Sequence, residues 1–539
     1  MSGSITLENR FGVNKMELIS LKYAIFVIVL LVLYYCFPKK YRWYVLLAGS
    51  MAYYVIICKW YVLFIIFTIC TTYGSTIWID KLLKKQNAIV KSHKEDWDRQ
   101  TRKEYKEKGR KKRVAVMLFA LLCNFGILAF LKYIPYAGEL GLLLPLGISF
   151  YTFQSMGYVM DVYREIVEPE KNFLKVALFV SFFPQIIQGP IAIYDKLAGQ
   201  LYEGHSLRLE NLQKGALLVL WGVMKKLVIA DRAVNIINFV MDKPMDLSGT
   251  YVFFAAVVYA LQLYADFSGG IDIVRGIAEM FGITMSTNFN HPYFSRSLTE
   301  YWHRWHMTLG DWCRNYIFYP LSISKRFLNF GKWLKPRFGA HISKVLPGCI
   351  ASVVTFIVIG VWHGANMKYL YFGLWNGIVI MLAELFAPVN KKVSGGFFKL
   401  TGLREKGIFA TIVSVLWTFM LILVGYYFDI AANASTAFHM LFKSVTDFHI
   451  SELGINNIIL NLGACGLDEY DILLLIICTL LWFFISFIEE NKKLDMRDFI
   501  LSRKLPLRWA IIYLGIFIVI IFGYYGPGVN PADFVYMQF

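Results

Sequence analysis

Residues 409–428 read FATIVSVLWTFMLILVGYYF, twenty residues without a charge. An α-helix of that length spans about 30 Å, the hydrocarbon thickness of a bilayer. Backbone N–H and C=O groups find no water there, so the stretch must satisfy them internally, as a helix does. The same reading extends outward along the chain. Candidate spans lie at Leu21–Phe37, Trp43–Ile57, Trp60–Ile79, Val114–Leu131, Leu142–Val162, Phe173–Ile193, Gly215–Ile229 and Val252–Leu263, then at Leu346–Trp362, Leu370–Phe386, Ile472–Ile488 and Trp509–Gly523. Composition agrees: of 539 residues 57% are hydrophobic and 17% charged, against about 25% charged in soluble domains. The pattern predicts an all-α, polytopic integral membrane protein with about 10–13 membrane helices, joined by re-entrant and short interfacial helices around a central tunnel.

The formal charge of +18 raises the question of nucleic acid, and its distribution answers it. Residues 81–113 hold fourteen Lys/Arg against five Asp/Glu, half of the whole excess. Only Trp97 and Tyr105 interleave there, too few for a base-stacking platform. No nucleic-acid partner is expected. The run reads as a cytoplasmic loop retained by positive charge, which puts the N-terminus outside. Leu21–Phe37 follows Arg10 and Lys15, but no small-residue cleavage site comes after it, so it reads as a retained helix rather than a signal peptide. The eight cysteines show neither CxxC nor zinc-like spacing, and most sit in or beside apolar runs as small hydrophobes.

The interrupted spans lie in the middle. Pro184, Gly189 and Pro190 break the sixth, and Lys225-Lys226 cuts the seventh. Broken helices survive at membrane depth where protein or a wet cavity shields them, so residues 145–380 are where a cavity is expected. Residues 264–320 are dense in polar, aromatic and glycine residues, among them Asp266, Asp272, Arg275, Glu279, Arg296, Glu300, Arg304, Asp311 and Arg314. Ionisable groups at such depth are paired or functional. The bland reading is a network that locks re-entrant helices together.

Of nine histidines, His93 lies in the basic run, and His439 and His449 fall in an expected outer loop near 437–470, where they read as solvated. His303 and His306 stand three apart, a spacing that shares one face of a helix. No carboxylate or thiolate set completes a metal site around them, and no metal is expected. His363 closes the apolar run SVVTFIVIGVW and precedes Gly364. It either caps helix carbonyls or acts as a buried, neutral imidazole that takes a proton from a hydroxyl.

Seven fragments carry a resemblance. They are LPLGISFYTFQSMGYVMDVYR (144–164), FFPQIIQGPI (182–191), GVMKKLVIADR (222–232), YADFSGGIDIVRGIAEMFGI (264–283), NFNHPYFSRSLTEYWHRWHMTLGDWCRNYIFYPL (288–321), GVWHGAN (360–366) and FVYMQF (534–539). Together and in this order they resemble the membrane-bound O-acyltransferase family, in the bacterial branch of the alginate O-acetylation and teichoic acid D-alanyl transfer proteins. The resemblance implies one membrane-embedded acyltransferase domain over residues 1–539, with scaffold helices and the basic loop in 1–113, a catalytic core in 114–390, and closing helices with an outer loop in 391–539. It implies catalytic roles for His363 in the WHG motif and His306 in EYWHRWHMTL, on opposite sides of a tunnel. Supporting roles fall to Asp266, Ser268, Arg296, Glu300, Trp362 and Asn366. His303 stands where the alginate-type pattern commonly has Arg, and Asn366-Met367 where a small residue and Trp are usual.

The implied reaction moves an activated acyl group to hydroxyls of an extracytoplasmic polysaccharide. No bound cofactor is expected, and acetyl-CoA or another acyl thioester serves as donor substrate. Expected partners are membrane lipids, an extracytoplasmic serine-hydrolase-like acyl-transfer protein and an acyl carrier protein on the cytoplasmic face. The chain itself carries no G-x-S-x-G nucleophile elbow. Two alternatives stand beside this: D-alanyl transfer from a carrier-protein thioester to teichoic acid, and a transporter without covalent chemistry, whose inverted repeat is not found in the sequence.

Overall fold

A computed structural model describes residues 16–134, 138, 142, 144–401, 404, 407–454, 465–526 and 534. The closing motif, apart from Phe534, and residues 455–464 of the expected outer loop lie outside the described residues. Those described are α-helical, 3₁₀-helical, π-helical or irregular. Seven stretches are long and apolar enough to cross a membrane: Lys39–Ser92, Arg99–Tyr133, Gly249–Met280, Lys325–His363, Ile408–Ile430, Glu469–Lys492 and Leu505–Phe522. An eighth is counted if Met367–Leu385 and Ala387–Gly396, bent by 66°, form one span. Leu21–Cys36 and Phe173–Gln188 are apolar but shorter. The chain is an all-α polytopic membrane protein.

It folds as two compact units, Met1–Val219 with Ile271–Ser286, and Leu220–Gly270 with Thr287–Phe539. In the first, the basic run is not the loop its charge suggested. The helices Val62–Ser92 and Arg99–Tyr133 carry most of it, and only residues 93–98 turn between them. Lys, Arg, Glu and Gln are strong helix formers. Here they add i,i+4 contacts such as Lys84–Asp80 (2.6 Å) and Gln100–Glu104 (2.6 Å). Asp98 caps the second helix by accepting from the backbone N–H of Thr101 at 2.9 Å. At 31 and 35 residues the helices run about 46 and 52 Å, well beyond the hydrocarbon. The helix Ile148–Tyr163 is buried almost throughout. Its Gln154 donates from Nε2 to the Phe179 carbonyl at 2.6 Å, beside the break at Phe182 that separates Phe173–Ser181 from Phe183–Gln188.

The second unit corrects three expectations. Lys225-Lys226 does not cut its helix. A π-helical turn, Lys225–Ala230, joins Leu209–Met224 to Asp231–Asp242, because both ammonium groups find polar partners inside the protein. Lys226 Nζ lies 2.6 Å from Asp266 and 2.8 Å from Asp231, and Lys225 Nζ donates to Ser268 at 2.8 Å. The polar stretch from Tyr264 is not re-entrant at its start. It continues the helix Gly249–Met280 through Gly269-Gly270, since its Asp and Ser have partners without leaving the helix. His439 lies on the helix Ala434–Thr446 rather than in a loop, although its side chain is exposed as expected.

Two helices then form a tight hairpin. Lys325–His363, bent at Gly339, and Met367–Leu385 are joined by three residues. A Cβ at Gly360 would stand 2.2 Å from the Tyr369 carbonyl oxygen, so glycine lets the two backbones meet.

Candidate active site

His306 is set by a break in the chain. The helix Leu298–Arg304 ends before Trp305, and Met307–Cys313 begins after His306, whose φ of 43° lies in the left-handed region. That conformation is uncommon for a residue with a Cβ and concentrates at functional sites. The break parts the two histidines three residues apart. His303 is exposed on the first helix, whereas His306 is buried beyond its end, so they do not share a helical face.

Asn288 stabilises the break. Its backbone carbonyl accepts from Met307 N–H at 2.9 Å. Its side-chain Oδ1 accepts from Thr308 N–H at 3.1 Å and from Thr308 Oγ1 at 2.9 Å, and lies 3.2 Å from His306 Nδ1. A backbone N–H can only donate, so the atom facing it is the amide oxygen and not the nitrogen. His306 Nδ1 must then carry the hydrogen toward that oxygen, which puts the neutral ring's basic lone pair on Nε2.

His363 is the last residue of the helix Lys325–His363, and both histidines are buried. Tyr369 stacks beside the His363 ring with centroids 6.0 Å apart and planes at 22°. Phe372 stands edge-on at 5.5 Å. A Cβ at Gly364 would meet the Tyr369 ring at 2.5 Å, so only glycine admits that ring here. Trp362 packs edge-on to both histidines, 4.9 Å from His363 and 6.2 Å from His306.

The two histidines line one cavity of about 20 Å³, walled also by Trp302, Trp305, Tyr426 and Asp429. That volume holds roughly one water molecule. Tyr426 O–H lies 2.8 Å from Tyr301 O–H and 3.0 Å from Tyr293 O–H, which donates to the Ala260 carbonyl at 2.6 Å. The Asp429 carboxylate accepts from Tyr259 O–H at 2.7 Å. Trp302 Nε1 donates to Asn376 Oδ1 at 3.0 Å. A pair of imidazoles, a carboxyl group and a chain of hydroxyls therefore converge on one enclosed space. Such a set can accept, hold and pass protons around a bound hydroxyl.

The remaining predicted residues stand elsewhere. Asp266 and Ser268 hold the two lysines of the π-helical turn, while Phe267 between them packs edge-on against His306 at 4.9 Å. Glu300 accepts from Arg296 N–H at 2.8 Å and pairs with Arg304 at 2.7 Å, a bracing role for the helix Leu298–Arg304. Asn366 is exposed and caps the helix Met367–Leu385 through Lys368 N–H at 3.1 Å. Sequence reading did not single out Asn288, Tyr426 or Asp429. Tyr426 lies in the span Phe409–Phe428, taken as plain scaffold, and Asp429 directly after it. Among the described residues no group of three or more His, Cys, Asp or Glu is placed to hold a metal ion.

Residues 169–335 match the model of the family described as MBOAT, membrane-bound O-acyltransferase family. Over that segment the chain is similar to this family. The matched segment contains His306 and ends before His363.

The chain is 30% identical over 313 residues to a probable alginate O-acetylase of Pseudomonas syringae pv. tomato, covering 58% of this chain and 54% of the relative. It is 30% identical over 314 residues to a peptidoglycan O-acetyltransferase of Helicobacter pylori, 51% of this chain and 56% of the relative. It is 26% identical over 288 residues to a teichoic acid D-alanyltransferase of Bacillus subtilis, 52% of this chain and 67% of the relative. The chain thus spans little more than half the length of the first two.

Proposed function

We propose that the protein is an O-acyltransferase that moves an activated acyl group, most simply acetyl from acetyl-CoA, to hydroxyls of an extracytoplasmic polysaccharide. The observation that carries this reading is the pair His306 and His363 on one enclosed cavity of about 20 Å³. The relatives' names point the same way, two being O-acetylating proteins.

In the proposed step His363 takes the proton of the attacking hydroxyl as its oxygen bonds to the thioester carbonyl carbon. The tetrahedral intermediate collapses with cleavage of the carbon–sulfur bond. The thiolate leaves with the donor and takes up the proton, so the ring returns neutral. His306, with its basic site on Nε2, orients the hydroxyl from the other side. A thioester is reactive enough to need no metal. The cavity is too small for both substrates as it stands, so Trp302, Phe372 or Tyr426 moves aside on binding. The basic segment 81–113 lies on the cytoplasmic side, the N-terminus outside. An extracytoplasmic serine-hydrolase-like acyl-transfer protein assists on the polymer side, and a carrier protein docks on the cytoplasmic face where the donor is carrier-bound.

A second reading, D-alanyl transfer from a carrier-protein thioester, is favoured by the match to 67% of the Bacillus subtilis D-alanyltransferase. Purified full-length protein in lipid vesicles, given ¹⁴C-acetyl-CoA or a ¹⁴C-D-alanyl carrier thioester with polysaccharide outside, separates the readings. Ester-linked acetate on the polymer supports the first. Label only from the D-alanyl carrier replaces it with the second. Polymer moved across the vesicle wall without any acyl label overturns both.

A further inference from the structure

The first unit holds a cavity of about 380 Å³ between the polar ends of Val62–Ser92 and Arg99–Tyr133. Its walls are Lys103, Lys106, Arg110 and Arg113 on one helix, Leu83, Gln86 and Asn87 on the other, and Glu107 and Glu165. The four cations follow one another at spacings of three, four and three, which gathers them on a single helical face. The volume falls within the range of small-molecule sites, about 300–1,000 Å³.

Two wall residues point to a ligand. Arg113 is 7% exposed and Gln86 6%. Arg113 Nη1 donates to Glu165 at 2.8 Å, but its Nε has no hydrogen-bond partner among the described residues, nor does Gln86 Oε1. Buried polar atoms are seldom left so, because the lost hydration is not replaced. Lys103 and Lys106 form no ion pair among the described residues. Glu107 offsets little, lying 3.6 Å from Arg110 with both side chains at least half exposed. Four cations against two carboxylates leave an excess of two positive charges around the cavity. Arg113 directly precedes the apolar run that begins at Val114, the depth at which lipid headgroups meet basic residues.

We propose that this cavity binds a phosphate group, held by Arg113 and Arg110 and completed by Lys103 and Lys106. A phosphate monoester carries close to two negative charges at neutral pH and offers three acceptor oxygens, which matches both the charge excess and the donors present. The group can arrive on an anionic phospholipid or on a soluble phosphorylated compound, since the cavity reads the phosphate and not its carrier. The inference is independent of the acyl-transfer reading, and its test measures binding without turnover.

The full-length protein is placed in phosphatidylcholine nanodiscs with and without phosphatidic acid, and bound lipid is counted by native mass spectrometry. Inorganic pyrophosphate is titrated calorimetrically into the discs that lack phosphatidic acid. The expected result is saturable, salt-sensitive binding of at least one probe, weakened tenfold or more by Arg113→Gln and by the surface pair Lys103→Gln with Lys106→Gln. The lysine pair keeps the test sound should the arginine variant fail to fold. Retained phosphatidic acid without pyrophosphate binding assigns a lipid source, and pyrophosphate binding without lipid retention a soluble one. Failure of both probes, or equal binding by folded lysine variants, overturns the proposal.

Discussion

Asn288 shows how one side chain can decide the chemistry of another. Its Oδ1 faces two donors of Thr308 and so meets His306 Nδ1 as an acceptor, which settles where the imidazole carries its proton. Replacing a buried hydrogen-bonding partner costs about 1–3 kcal/mol, and about 1.4 kcal/mol is a tenfold change in rate. Asn288→Leu is therefore expected to lower the acyl-transfer rate about tenfold or more. Asn288→Asp, which keeps an acceptor oxygen, should retain more activity. Initial rates of the two variants, with thermal melting to confirm folding, decide this; equal rates for both would remove the tautomer argument. The sequence pointed directly to His363, because an imidazole at the end of an apolar helix stands out. It hid Asn288, whose importance depends on a chain reversal eighteen residues before His306. It also made His303 and His306 look like neighbours on one face, since the left-handed φ at His306 leaves no trace in spacing.

Between elements, the hairpin of Lys325–His363 and Met367–Leu385 fixes the position of His363. Gly360 lies where a methyl group would press on the Tyr369 carbonyl, whereas Gly348 on the same helix has open space beside it. Overpacking a close contact costs about 1–3 kcal/mol. Gly360→Ala is expected to lower the thermal midpoint in detergent and to reduce activity by displacing His363. Gly348→Ala should leave both near wild type. A Gly360→Ala protein that melts and turns over like the parent would show that the hairpin does not hold the site. The long apolar helices were legible from hydropathy because twenty uncharged residues have few alternatives. Polar helices were not. The basic run looked like a loop because its residues are charged, and Lys225-Lys226 looked like a break because Lys226 is compensated by Asp266, close only in the fold, and by Asp231 across a π-helical turn.

For the whole molecule, hydropathy and motif order gave the class, all-α and polytopic, and the family match agrees. The two compact units were not foreseen, because two of the three passages between them, at Val219–Leu220 and Gly270–Ile271, fall within helices and the third, at Ser286–Thr287, in a short irregular stretch with no linker composition to mark it. Broken helices placed an expected cavity within residues 145–380 without giving its lining. Part of its polar lining, Tyr426 and Asp429, comes from a helix that hydropathy alone reads as uniform. The central claim is that His363 acts as a base on a hydroxyl brought into that chamber. Initial rates of labelled acyl transfer by full-length protein in vesicles, wild type against His363→Ala with matched melting temperatures, test it most directly. A loss of about 10²–10⁴-fold is expected. Turnover by the alanine variant within a fewfold of wild type would contradict it.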